Sequence, residues 1–356
     1  MDVTDLAREL VSIPSHDDES AAGERVADWL RERTDAAVTV DDAGNVVARR
    51  GAGDRSLALV GHHDVVPPAD SQLDGDEYVV SESDGRLHGR GSADMKGSLA
   101  AAMCAFRDAD PAGELVFASF AGEEDGGVGA RAAVDEGFAP DFAVVGEGST
   151  GYSADGVTDV AVAHKGRRGS TLRAAGAAAH ASEPEAGVNA VYRACDAVDV
   201  VRDLDAPGTT VFGRDVEGSL AVTEIDGGEA WNVVPERCSV TVDERTVPGE
   251  RADLARVEDV PGVEWTVDQD LPPMRCSDRE FADAALSAAA DAQDGGPEQV
   301  VKPHATDAGW LADAGTACVV CGAAEPGEAH TADESVSLAV LERCYEVYRS
   351  VAGSFA

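Results

Sequence analysis

The chain has 356 residues, 44% of them hydrophobic, which suffices to bury cores in two domains and excludes a disordered acidic tail. Its 68 acidic residues outnumber 28 basic ones, a formal net charge of −40, which excludes the basic face that nucleic-acid binding needs. No apolar run approaches the roughly 20 residues of a membrane span, and the opening Met1-Asp2-Val3-Thr4-Asp5 lacks a basic stretch followed by an apolar one, so neither membrane contact nor a secretory leader is expected.

Hydrophobic spacing predicts amphipathic helices over 3–12 and 20–33, then strands near 37–40 and 45–48. Leu57-Ala58-Leu59-Val60 reads as a buried strand that ends in Gly61-His62-His63-Asp64-Val65-Val66-Pro67. Side chains just past a strand end project into the crevice where α/β sheets bind ligands. His62 and Asp64 are two apart and share one side of an extended segment, whereas His63 faces the other way. An imidazole binds a metal through one nitrogen while a carboxylate holds its other N–H. His62 is therefore a candidate ligand and Asp64 its orienter, with a polar turn as the plain alternative.

The glycine-marked loop Leu87-His88-Gly89-Arg90-Gly91-Ser92-Ala93-Asp94-Met95-Lys96-Gly97 leads into a helix expected over 98–107. Asp94 sits just before it, where helix N–H groups support an anion. A buried strand over 115–120 ends in Gly122-Glu123-Glu124-Asp125-Gly126. Three acids there are costly unless a cation or solvent receives them. Of two adjacent carboxylates, one can ligate a metal while the other takes a proton from a bound water. Phe142-Ala143-Val144-Val145-Gly146-Glu147-Gly148 repeats the pattern of strand, glycine and carboxylate. Strands alternating with helices predict an α/β catalytic domain, its mainly parallel sheet flanked by helices.

Beyond Lys165-Gly166-Arg167-Arg168-Gly169-Ser170 the strands look half-buried, over 170–173, 220–225 and 238–242, around a helix over 187–203. This predicts an inserted α+β domain at 169–275 between catalytic segments 1–168 and 276–356. A helix over 280–291, a buried strand over 316–322, a loop with His330 and a closing helix over 335–351 complete the chain. Cys318 and Cys321 face opposite sides of their strand and cannot chelate one ion. The seven cysteines are odd in number and scattered in apolar contexts, which fits reduced thiols in a cytoplasm. Only Lys96, Lys165 and Lys302 are lysines; the other basic residues are arginines. An acidic coat so poor in lysine predicts a halophile's protein, stable where molar salt screens its self-repulsion.

Five motifs in order, Gly-His-x-Asp-Val-Val-Pro, Gly-Arg-Gly-Ser-Ala-Asp-Met-Lys-Gly, Gly-Glu-Glu, Gly-Glu-Gly and Ala-His-Thr-Ala-Asp-Glu, resemble the M20 family of di-zinc amidohydrolases and exopeptidases. Within it the chain looks most like the group that holds succinyl-diaminopimelate desuccinylase and acetylornithine deacetylase. The resemblance implies two divalent ions, zinc first, with cobalt or manganese as substitutes. Asp94 would bridge them, His62 and Glu147 completing one site and Glu124 and His330 the other. Glu123 would be the general acid/base and Asp64 would orient His62. The insert would be a dimerisation lid whose His180 reaches across from a second subunit to stabilise the oxyanion.

The resemblance also implies that Arg245 and Asn232 grip the substrate's carboxylate and acyl parts, and Arg167 resembles the desuccinylases in particular. Two stretches depart from them: Pro303-His304-Ala305-Thr306-Asp307-Ala308 replaces a Gly-Thr-Ser-Asp loop, and Glu183 in His180-Ala181-Ser182-Glu183-Pro184 would repel a succinyl carboxylate if it pointed inward. The expected reaction is amide hydrolysis of a small N-acyl amino acid, N-succinyl-LL-2,6-diaminopimelate first and N-acetylornithine second. Dipeptides or C-terminal residues are the further alternative. A silent metal-binding scaffold would have lost Glu123 or a ligand, and none is lost.

Overall fold

The computed structural model describes residues 2–355. The chain divides into two compact units: one runs to His164 and resumes with Met274–Lys302 and from Thr306, and the other holds Lys165–Pro273 with Pro303–Ala305. The junctions fall at Lys165 and Pro273 rather than at 168/169 and 275/276. The Val160–His164 strand ends just before Lys165 and the Gly166–Ala175 strand starts just after it, while Met274–Arg275 pairs back onto Val160–His164.

The first unit is built on a nine-stranded sheet. Its centre is parallel, with Glu114–Phe120, Ser56–His62, Phe142–Val145 and Ala317–Val320 side by side. Antiparallel strands flank this centre. The two leading strands are buried from their second residue to their last, because helices cover both faces. Alternation assigns the faces. Ala58, Val60, Val116, Ala118 and Phe120 pack toward Ala130 and Ala133 of the Val128–Asp135 helix and Leu311 of Ala308–Asp313. Phe117 points the other way, its ring 6.0 Å from Phe106 of the Gly97–Asp108 helix. The long core side chains on each face contribute about 1.5–3 kcal/mol apiece.

Two differences from the expected elements have clear causes. The closing helix starts at Leu338, not at 335, because Ser335–Ser337 pairs as a strand with Arg86–His88. The helix expected over 187–203 is Ala190–Arg202. Val188 exchanges backbone hydrogen bonds with Ala177, and Asn189 then caps the helix by accepting the Val191 and Tyr192 N–H groups.

The second unit is an antiparallel four-stranded sheet in the order Ser219–Gly227, Arg237–Thr246, Gly166–Ala175, Val263–Leu271. The Ala190–Arg202 helix lays Ala190, Ala194, Ala197 and Val201 on Leu172, Val240 and Val242 of the two middle strands. Those strands alternate buried and outward residues, as expected of a sheet covered on one face. The strand expected to be half-buried over 220–225 is Ser219–Gly227; as the edge strand beyond the middle pair it is exposed except at Leu220.

Candidate metal centre

The three strand ends predicted to carry ligands are adjacent. Ser56–His62 lies between Glu114–Phe120 and Phe142–Val145, with His62 opposite Phe120 and Val60 opposite Val145. His62, the Glu123–Glu124 pair and Glu147 thus leave one end of the sheet together. Asp94 arrives on the turn Ser92–Lys96. This turn lies close over the strand ends because two of them carry a glycine beside their last residue. A Cβ on Gly61 would meet Met95 Cε at 2.5 Å, and one on Gly146 would meet it at 2.8 Å. Glu334 anchors the turn from below, accepting the N–H groups of Ala93 and Asp94 at 3.0 and 3.1 Å and pairing with Arg90.

Asp94 spans two imidazoles. Its Oδ1 lies 3.1 Å from His62 Nε2 and its Oδ2 3.2 Å from His330 Nε2. Each imidazole meets a second carboxylate: Glu147 Oε1 is 3.4 Å from His62, and Glu124 Oε1 is 3.0 Å from His330. The donor atoms of His62, Asp94 and Glu147 lie within 4.8 Å of one another, and so do those of Asp94, Glu124 and His330. A third group of the same size, His62 with Glu123 and Glu124, joins the two. On its far side, His62 Nδ1 is 3.0 Å from the Asp64 carbonyl and 3.3 Å from its carboxylate, whose Oδ2 accepts the Glu124 N–H at 3.0 Å. His63 takes the opposite face, 2.8 Å from Ser119 Oγ, where burial lowers its pKa to about 4.

The electrostatics follow from crowding carboxylates away from water. Burial opposes the charge of Asp94, but His330 and His62 outweigh it and hold its pKa well below the usual range. Burial likewise works against a charged His62, yet Asp64, Asp94 and Glu147 raise its pKa well above normal. Hydrogen bonds that His330 donates to Asp94 and Glu124 raise its pKa to about 10. Glu123 has no such partner, so burial and the negative charge of Glu147, Asp307 and Glu124 push it up, against His62. A carboxyl that favours its proton in this place is suited to receive one.

These donors fit divalent ions. They are imidazoles and carboxylates without thiolate, the set that suits zinc, cobalt or manganese. They converge with one carboxylate between two clusters, and an outer carboxylate fixes His62 as metal-bound histidines require. Among the described residues every such cluster lies in the first unit. A cavity of about 630 Å³ in the second unit, lined in part by Arg173, Glu229, Val234 and Arg237, contains none.

The remaining candidates lie in the second unit. His180 is exposed, with Nδ1 2.6 Å from Ser182 Oγ, and the Ala181 N–H donates to the Asn232 carbonyl. Arg167 and Arg245 are register partners on neighbouring strands and share Asp243. Arg167 also donates to Gln269 at 2.9 Å. Three buried residues of the first unit were not singled out from sequence: Glu334, Lys302 and Asp307. Each had a signal available: Lys302 in the rarity of lysine, Glu334 as the last residue of the Ala-His-Thr-Ala-Asp-Glu motif, and Asp307 in the loop that departs from the desuccinylases.

Sheet, strand-end clusters and a carboxylate set between two imidazoles give an arrangement that could hold two divalent ions. The sequence pattern of peptidase family M20/M25/M40 matches residues 58–354, and the chain belongs to that family of hydrolases. It is 32% identical to the acetylornithine deacetylase of Proteus mirabilis (strain HI4320) over 213 residues, 58% of this chain. That match spans about half the relative's length, 53%. Among solved structures, aminopeptidase PepT from Bacillus cereus superposes with a TM-score of 0.81 at 20% identity, covering 99% of this chain and 97% of that one. An M20 family metallo-carboxypeptidase from Sulfolobus solfataricus gives 0.79 at 14% identity, covering 100% and 99%. A dinuclear metal binding peptidase of the M20 family from Bacillus subtilis gives 0.70 at 16% identity, covering 99% and 96%. At these identities the likeness is one of fold.

Proposed function

We propose that the protein is a two-metal hydrolase that cleaves the amide bond of a small N-acyl amino acid. The observation that carries this reading is Asp94, whose two oxygens face His62 and His330 in clusters closed by Glu147 and Glu124. His62, Asp94 and Glu147 would hold one divalent ion and Asp94, Glu124 and His330 the other. When bound, two such ions acidify a water and polarise a carbonyl. Glu123, beside the ligand Glu124, takes the water's proton and returns it to the leaving amine. Asp64 keeps His62 in one tautomer and orientation. His180 of a second copy donates to the developing oxyanion, and Asn232, Arg245 and Arg167 bind the acyl and carboxylate ends. The metal is taken as zinc and the assembly as a homodimer through the second unit, whose Trp231 and Tyr192 are exposed. Free cysteines, six of them buried, fit a reducing cytoplasm, and the charge fits a salt-accumulating host.

Acetyl is favoured over succinyl. The similarity to an acetylornithine deacetylase supports it, and so does Asp243, which occupies the arginines that would otherwise receive a second carboxylate. A peptidase reading also has support, in the peptidase-family pattern matched over residues 58–354. A panel of N-acetyl-ornithine, N-succinyl-diaminopimelate and dipeptides, assayed with zinc or cobalt in molar KCl, separates them. Turnover is expected on the acetylated amino acid. Faster turnover of the succinyl substrate or of dipeptides reassigns the acyl pocket, and no turnover of any overturns the hydrolase.

A further inference from the structure

This chain uses arginine almost wherever it needs a cation, yet two of its three lysines are buried in the first unit. Lys96 donates to the Ile13 carbonyl at 2.6 Å. Lys302, at the end of the Gln299–Lys302 strand, donates to the Gly148 carbonyl at 2.9 Å and lies 3.7 Å from Glu147 Oε2. The other oxygen of Glu147 faces His62. Glu147 therefore has an outer oxygen beside a buried ammonium and an inner oxygen in the cluster. A compact ammonium on a flexible stem fits a site behind one oxygen, where arginine's broad planar fork does not. Glu124, the corresponding carboxylate of the other cluster, pairs instead with His330, which is exposed.

We propose that Lys302 is a positioning residue for Glu147: it holds the outer oxygen, so that Glu147 presents a single oxygen to an ion shared with His62 and Asp94. This rests on the two-ion reading above. It makes the two ion sites unequal, one backed by a buried cation and the other open to solvent through His330.

The test is a calorimetric titration of metal-stripped protein with Co²⁺ in molar KCl, with the cobalt absorption spectrum followed alongside. The native chain should bind two ions in two steps. In Lys302→Met one step should weaken by about 10- to 100-fold, the range associated with outer partners of metal ligands, while the other stays put. In a Glu147→Gln background the same change should add nothing, since the carboxylate it acts on is gone. Lys302→Gln, which keeps a donor for Gly148 without the charge, should behave like the Met variant and carries the comparison if that variant does not fold. Two unmoved steps, an equal loss in both backgrounds, or full recovery in Lys302→Gln overturns the proposal. Fewer than two ions on the native chain overturns the two-ion reading instead.

Discussion

The two units use the same acidic, lysine-poor composition in opposite ways. In the first, acids are drawn inward: Asp64, Glu147, Asp307 and Glu334 are buried, and His62, Lys302 and Arg90 stand against three of them. In the second, one buried acid, Glu244, pairs with Arg168, the others mostly line the outside of a small sheet, and Trp231, Tyr192 and Ile225 are exposed. Gathering carboxylates away from water is unfavourable unless cations compensate, so the first arrangement points to chemistry. Exposed apolar side chains carry no comparable cost, and by themselves they mark no site.

The sharpest way to break this contrast is to remove the proton acceptor and leave the ligands. Glu123→Ala should lower kcat by about 10²- to 10⁴-fold, the contribution of a positioned base, with metal content unchanged by elemental analysis. Retained turnover would put the base elsewhere. His180→Ala tests whether the second unit takes part in the chemistry. Loss of an oxyanion donor should cost roughly 10²- to 10³-fold in kcat, and a change confined to KM would make His180 a binding group only.

Protons and metal ions compete for the same nitrogens. His330 is raised to about 10, so below that value it carries a proton that an ion must displace. Metal affinity should therefore weaken as pH falls from 9 to 6, with protons released on binding, as calorimetry in buffers of different ionisation enthalpy would report. Binding independent of pH would remove His330 from the ligand set. The smallest effect is expected at His63. His63→Ala should cost about 1–3 kcal/mol of stability by leaving a gap and a buried Ser119 hydroxyl without its partner. It should leave two ions bound, because His63 faces away from them.

The first unit was the more legible in sequence, for a physical reason. A buried parallel strand is a short apolar run, and a histidine or acid just past its end needs a partner, so His62, the Glu123–Glu124 pair and Glu147 stood out as candidates from spacing, while their grouping around Asp94 came from the family resemblance. Neighbouring positions on an extended segment take opposite faces, which placed His63 correctly away from His62. The side chains that support the ligands were not legible. That Lys302 lies beside Glu147, and that Glu334 holds the turn carrying Asp94, emerges only from folding. In the second unit, local pattern found the helix but not its start, because the Val188–Ala177 pairing that delays it is tertiary. Arg167 and Arg245 read as substrate grips in sequence, while the shared Asp243 between them emerges only from strand register.

The central claim is that Asp94 is shared by two ions. Elemental analysis of dialysed protein should find two divalent ions per chain in the native form and close to none in Asp94→Ala, with both folded by circular dichroism in molar KCl. Two ions retained by Asp94→Ala would contradict the account.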